Sequence, residues 1–289
     1  MWVSCHIYYQ QPIESVLIKI VKPLLDEFTD SALVSLFFFV RYADQYNHIR
    51  LRVKAASVEQ VPVLKNDINL YLEKNNIFQF TLNLSERSDT AYFKFIDYEP
   101  EIQRYGGEKA LIIAESQFEL SSKTVLEILN ISPIWSFQRS FITALYLNMA
   151  FTFVLYTNPK ECIQFWNYNF KTWLHMGISD TCETEILLTN HYSNYFEINK
   201  KSICPIIEAV WNSLVEEVTF DEEWMNKWIN GMKGIRKALE KVEINPMLLN
   251  SVYDSYLHMT YNRLGIQNKD ESLISFLIYN TLIDMYEHA

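Results

Sequence analysis

The stretch Asn47-His48-Ile49-Arg50-Leu51-Arg52-Val53-Lys54 holds the residue types and spacing best suited to chemistry. Side chains along a β-strand point to alternate faces. As a strand, this stretch puts His48, Arg50, Arg52 and Lys54 on one face and Ile49, Leu51 and Val53 on the other. The apolar face suits a core. The basic face lines up guanidinium groups, each a planar fork of donors that matches carboxylate or phosphate. In a chain of formal net charge −10, such a cluster is a poor solubility device. Its bland alternatives are a solvated strand face or arginines paired with the chain's own acids. Two more polar spots stand out: Arg104, just before Gly106-Gly107, and the helical stretch Tyr256 to Arg263. There His258 and Asn262 are four apart and share a helix face. A lone helical histidine is more often a surface or core residue than a catalyst, and Arg263 near a helix C-terminus has an ordinary macrodipole explanation. His6, His175, His191 and His288 join no constellation. Together these spots define an anion pocket and a candidate acid or base.

Several common chemistries are absent. No G-x-x-x-x-G-K-S/T, G-x-G-x-x-G, H-E-x-x-H or G-x-S-x-G occurs, which removes the usual nucleotide and hydrolase motifs. Cys5, Cys162, Cys182 and Cys204 are far apart and form no C-x-x-C pair, so no zinc set is expected and reduced thiols in a cytoplasmic protein are. There is no apolar run of about 18 residues and no secretory pattern at the N-terminus, so no membrane partner is expected. The acidic balance gives no support to direct nucleic-acid binding.

The elements that must hold these residues follow from pattern. A chain of 289 residues, 49% hydrophobic and 15% aromatic, can bury a substantial core. Only 6 Gly and 8 Pro favour long regular elements. Trp2 to Gln10 reads as a strand. Pro12 opens a helix carrying Val16, Leu17, Ile20, Leu24 and Phe28, which Pro23 kinks or divides. Leu33 to Tyr42, apolar on both faces, reads as a central strand and as hairpin partner of the basic strand. Ser57 to Lys74 is helical with Ser57 as cap, and 77–84 and 91–98 form another strand pair about the turn 85–89. From Glu108 on, helical period dominates: 108–118, 121–129, 133–153, 159–176, 202–218, 221–241, 246–264 and 270–287, with turns at 199–201 and 243–246. The expected fold is α+β in one compact body and a single domain, 1–289. Residues 1–100 carry a four- or five-stranded, largely antiparallel sheet with helices, and 101–289 are mainly helical.

Several long motifs, in order, carry a resemblance. They are Trp2-Val3-Ser4-Cys5-His6-Ile7-Tyr8, Phe37-Phe38-Phe39-Val40-Arg41-Tyr42, His48-Ile49-Arg50-Leu51-Arg52, Tyr98-Glu99-Pro100-Glu101-Ile102-Gln103-Arg104-Tyr105-Gly106-Gly107 and His258-Met259-x-x-Asn262-Arg263. Over nearly its whole length the chain resembles the SpaB-type C-terminal domain of lantibiotic dehydratases, which also occurs free-standing in thiopeptide and related bacteriocin pathways. In the dehydratases that domain is a lyase: a glutamylation domain esterifies a peptide Ser or Thr, and the C-terminal domain expels glutamate to leave dehydroalanine or dehydrobutyrine. The resemblance implies Arg50, Arg52, Arg104 and His258 as catalytic residues. It further implies that His48, Arg41, Tyr105, Asn262 and Arg263 contact substrate.

The residue types suit elimination. A histidine takes and returns protons near neutral pH, and arginines stabilise charge where it develops; which group removes the Cα proton is left open. A thiopeptide pyridine synthase, joining two dehydroalanines by a formal [4+2] cycloaddition with leader release, is the competing branch. An amino-acid-adding branch uses a much larger chain, and a non-catalytic scaffold for a glutamylating protein is the alternative from another class. The expected partners are a precursor peptide and a separate tRNA-dependent glutamylation protein, with a homodimer possible. Neither leading reaction requires a metal or organic cofactor.

Overall fold

The structure, a computed structural model, describes residues 1–9, 12–75, 93–132, 134–156, 158–175 and 182–287. It contains two compact units, Met1–Trp135 and Ser136–Ala289. The α+β class expected from the pattern is what is found, with an antiparallel sheet near the N-terminus and helices after it.

In the first unit the described strands are β1 (Trp2–Tyr8), β2 (Val34–Ala43), β3 (Asn47–Ala55) and β4 (Phe93–Phe95), in the order β2-β3-β1-β4 and all antiparallel. Ile49, Leu51 and Val53 of β3 and Cys5 and Ile7 of β1 are fully buried on the apolar face. Helices α1 (Ile13–Val16), α2 (Lys22–Asp30) and α3 (Val61–Lys74) bring Val16, Leu24, Leu64, Ile68 and Leu72 to the same core. Between α1 and α2 the chain runs through a π-helical stretch, Leu17–Val21. The disruption expected at Pro23 takes this form. A proline ring crowds the carbonyl one turn back and removes a donor, and a wider turn relieves both. Ser57 does not cap α3. Its own backbone N–H donates to the Gln60 side chain, and the helix begins at Val61.

Two expectations about the sheet need correction. β2 is an edge strand among the described residues, not a central one. Helix α4 (Glu108–Ile131) lies along that edge, where the Phe37 and Phe39 N–H groups donate to Glu119 Oε1 and Ser122 Oγ, both at 3.2 Å. A strand whose edge is covered by a helix can be apolar on both faces without being central. The pair 77–84 and 91–98 falls largely outside the described residues, which include only Phe93–Phe95 of it. In addition, α4 is one helix where two were expected. It belongs to the first unit, so that unit extends past the change in pattern near residue 100.

The second unit's described elements are α5 (Phe137–Leu155), α6 (Pro159–His175), α7 (Cys182–Val215), α8 (Glu223–Leu239), α9 (Pro246–Leu264) and α10 (Asn268–Glu287). Residues 199–201, read as a turn, lie inside α7, which also contains Pro205. Helix α9 has the start and stop its sequence calls for. The Asn245 side chain accepts from Met247 N–H and Pro246 follows it. At the other end Gly265 takes φ 82°, and Ile266 N–H donates to the Tyr261 carbonyl, as in a Schellman motif. The core is aromatic: Trp166, Trp228, Tyr256, Tyr261 and Phe151 are fully buried.

Candidate functional site

The sheet register places the basic residues as the sequence pattern requires. Arg52 stands opposite Ser4 and Phe38, and Arg50 opposite His6 and Val40, so all share the face turned away from the apolar core. The Arg50 Cζ lies 3.3 Å from the centroid of the Tyr42 ring. The Arg52 Cζ lies 4.3 Å from that of Tyr98 and 5.3 Å from that of Phe38. No carboxylate among the described residues pairs with either guanidinium, and the Arg52 Nε–H is buried without an acceptor among them. Burial lowers the Arg52 pKa, with Arg50 pushing the same way and Tyr98 opposing. Two cations are therefore held over aromatic rings rather than over acids, which leaves their donor forks for an incoming anion.

Neighbouring residues fix this pair. His48 is buried; its Nδ1–H donates to the Tyr46 carbonyl at 3.0 Å, so its Nε2 accepts from Arg50 Nε at 3.3 Å. His48 thus orients Arg50. The His6 ring stacks on His48 at 4.9 Å between centroids. Its pKa falls to about 4 through burial, then through His48, Arg50 and Arg52, so His6 stays neutral beside the arginines. Lys54 ends the ladder differently. Its Nζ is 3.5 Å from Glu115 Oε2 on α4, and Glu115 also accepts from Trp2 and Tyr98. The segment Tyr98 to Gly107 crosses this face: Tyr98 sits on Arg52, and Arg104 Nη1 donates to Glu101 Oε2 at 3.2 Å. Gly106 and Gly107 take φ 85° and 111°, values that glycine alone adopts without strain, and Gly107 caps α4. Arg104 lies on the same loop as Tyr98, and its partner Glu101 acts electrostatically on Arg52.

Not every expected substrate contact fits that face. Arg41 stands opposite Ile49 on the apolar side and pairs with Glu14 at 2.6 Å. Tyr105 is buried edge-on against Phe118, with ring centroids 5.1 Å apart.

In the second unit, His258 projects from α9 with its side chain 21% exposed. Its Nδ1 lies 2.9 Å from Glu271 Oε1 in the first turn of α10, and the Glu271 side chain is fully buried. The imidazole stacks on Trp173 of α6, with centroids 4.5 Å apart and planes 16° from parallel. Trp173 Nε1–H donates to Asp254 Oδ1 at 2.6 Å, and Asn169 donates to the same oxygen. Asn262 shares the half-buried face of α9. Arg263 does not: it is fully buried and donates to the Met259 carbonyl at 2.6 Å. Beside Trp173 lies a largely apolar cavity of about 690 Å³, with Leu187, Tyr192 and Leu273 among its walls. Sequence reasoning found His258 but not Glu271, Trp173 or Asp254. Only the acid near a helix start was visible, and a dipole accounts for that without a partner.

Among the described residues no group of three or more His, Cys, Asp or Glu is placed to hold a metal ion, and no helix is long and apolar enough to cross a membrane. Cys5, Cys162 and Cys204 are buried free thiols.

An antiparallel sheet with one cationic face, followed by a helical unit carrying a carboxylate-bound histidine, defines the kind of protein. The chain belongs to the family described as Lantibiotic biosynthesis dehydratase C-term, whose profile matches residues 2–282. The nisin biosynthesis protein NisB of Lactococcus lactis subsp. lactis is 22% identical over 251 residues, 85% of this chain. That alignment is 22% of NisB, so the chain spans about a fifth of this relative. In fold the chain is similar to TbtD, a pyridine synthase from thiomuracin biosynthesis. The TM-score is 0.71 at 17% identity, over 100% of this chain and 99% of that one. It is similar too to MibB, a tRNA-dependent lantibiotic dehydratase from Microbispora sp. 107891. There the TM-score is 0.66 at 16% identity, over 99% of this chain and 28% of that one.

Proposed function

We propose that the chain is a lyase that eliminates glutamate from glutamylated Ser or Thr of a ribosomally made precursor peptide. The observation that carries this is the Arg50–Arg52 pair, held on a sheet face over Tyr42 and Tyr98 with no carboxylate partner among the described residues. A glutamyl ester presents a free carboxylate, and a second carboxylate forms as the ester leaves. In the reaction a base takes the Cα proton, the Cα–Cβ double bond forms and the Cβ–O bond breaks. The bonding pair leaves with glutamate. Arg50, Arg52 and Arg104 orient the glutamyl group and stabilise developing charge, at about 3–4 kcal/mol for one well-placed donor. His258, half-exposed and bound to Glu271, serves as the acid or base. The ester comes from a separate tRNA-dependent glutamylation protein, and the peptide runs past Trp173 along the adjoining cavity.

The second candidate is a pyridine synthase, favoured by the match to TbtD over nearly the full length of both chains. The test is mass spectrometry on a peptide bearing one glutamyl-serine, incubated with this protein alone. Release of free glutamate with a dehydroalanine left behind supports the lyase, and His258→Ala should then stall elimination while peptide binding persists. An untouched ester, with cyclisation of a bis-dehydroalanine peptide, supports the synthase. If neither peptide changes, the chain is a scaffold for a glutamylating partner.

A further inference from the structure

We infer that Glu115 is the positioning residue for Tyr98 and, through that ring, for the Arg52 guanidinium; this rests on Arg50 and Arg52 being the anion site of the proposed reaction. Tyr98 is the part of the site that the sheet does not hold. Phe38, the other ring beside Arg52, sits on β2 in register with it. Tyr98 lies past the end of β4 in irregular backbone. Yet its ring is the nearer of the two, 4.3 Å from the Arg52 Cζ. A side-chain contact fixes it instead of a strand ladder: the Tyr98 hydroxyl donates to Glu115, which stands buried on α4.

One carboxylate gathers three donors here. Besides Tyr98 it accepts from the Trp2 side chain and from Lys54, whose Nζ is 3.5 Å from Oε2. Burial disfavours the charge and raises the Glu115 pKa, with Lys54 opposing. An ion pair alone would need only the lysine, but a buried carboxylate must also have its other lone pairs met. The two donors that meet them are aromatic. Trp2, Tyr98 and Phe38 stand edge-on to one another, with centroids 5.1, 5.4 and 5.8 Å apart, and Tyr98 and Phe38 of this set lie against Arg52. Further along the same loop, Tyr105 packs on Phe118 of α4 with ring centroids 5.1 Å apart, and Gly107 caps that helix. Helix α4 thus holds the loop towards both of its ends, and Glu115 holds the end that touches Arg52. A guanidinium binds a carboxylate through a planar fork. A small turn of Arg52 spoils both bonds at once, and a tethered ring against its face resists that turn.

The experiment has two arms on the full chain. In the first, 15N NMR reads the Arg52 Nε–H group, assigned through Arg52→Met, whose proton carries a ring-current shift from Tyr98. In Glu115→Gln and in Tyr98→Phe, which leave the ring untethered, that shift should collapse toward the ordinary arginine position. In the second, elimination from the glutamyl-serine peptide is measured for the same variants. Glu115→Gln should lose roughly 10²-fold in kcat/KM, the cost of a misplacement of about 1 Å, and Glu115→Asp should restore part of it. The double variant Glu115→Gln with Tyr98→Phe should lose no more than the worse single one, since both break the same contact. Near-UV circular dichroism confirms that each variant is folded, and if Glu115→Gln does not fold, Tyr98→Phe carries both arms. An unmoved Arg52 resonance, or full kcat/KM in folded Glu115→Gln, overturns the inference. So does an impaired Glu115→Gln beside an unaffected Tyr98→Phe. The NMR arm needs no turnover. If the wild type does not eliminate glutamate, the proposed reaction fails while the resonance still decides whether Glu115 holds Tyr98 on Arg52.

Discussion

Arg52→Met should make the protein more stable and nearly inactive. In the native state the Arg52 Nε–H is buried with no acceptor among the described residues, and such an unmet donor costs about 1–3 kcal/mol. Burial also depresses the pKa of the guanidinium, which says in another way that the charged form is disfavoured there. Against this stand the contacts over Tyr98 and Phe38 at 4.3 and 5.3 Å, together about 1 kcal/mol. Methionine fills much of the same space without a charge, so the net gain is about 1 kcal/mol. That raises Tm by about 2–4 °C. The same change removes a donor from the proposed site and should lower kcat/KM by roughly 10²–10³. Thermal unfolding followed by circular dichroism reads the first effect, and mass spectrometry of glutamate release reads the second. A Tm that falls by several degrees, with activity falling in step with the folded fraction, would show that Arg52 is a structural residue. Unchanged kcat/KM with a raised Tm would remove Arg52 from the site.

Further expectations follow from other positions. His6 has its pKa lowered to about 4 in the folded protein, against an ordinary histidine value near 6.5. The unfolded chain therefore binds the proton first, and stability falls as pH drops from about 6.5 toward about 4, by at most about 1.4 kcal/mol per pH unit for this group. Urea unfolding across that window should show the slope, and His6→Phe should flatten it; an equal slope in the variant would assign the effect elsewhere. Gly107 and Gly234 should respond with opposite signs to alanine, although an added Cβ meets nothing within 4 Å at either. Gly107→Ala forces φ 111° on a residue with a Cβ and should cost about 1–3 kcal/mol, whereas Gly234→Ala inside α8 should gain about 0.5–1 kcal/mol. Denaturant midpoints decide, and two shifts of the same sign would contradict the backbone argument. Glu14→Ala leaves the buried Arg41 without its carboxylate. It should cost about 1–3 kcal/mol, with activity per folded molecule unchanged because Arg41 faces away from Arg50 and Arg52.

The two faces of β3 were legible because strand alternation is a local rule. The strand needs only its own sequence to separate Arg50 and Arg52 from Ile49 and Leu51, and the register bears this out. The stop at Gly265 was legible for the same reason, since a left-handed residue ends a helix wherever it falls. Edge and centre were not. An apolar run such as Leu36 to Val40 states how much surface is covered but not by what, and α4 is far away in sequence. Arg41 could have been set apart by continuing the alternation across the hairpin. Glu271 could not, because nothing local tells an acid that meets the helix dipole from one that meets a histidine on the preceding helix. The turn read at 199–201 failed because its polar residues lie on half-buried and exposed positions of a long helix, where they cost little.

The separation between β2 and its cover sets a timetable for synthesis. Phe37 and Phe39 reach their acceptors on α4 across 82 and 83 residues. At roughly 5–20 residues per second on the ribosome, the stretch Leu36 to Val40 waits about 4–16 s before the helix that seals its edge has even been made. A nascent strand this apolar, with open N–H groups, is a template for pairing with its neighbours on a polysome. Chaperone demand during production should therefore concentrate in the interval before α4 emerges. Truncations ending ahead of residue 108 should aggregate, and fragments that retain α4 should do so far less.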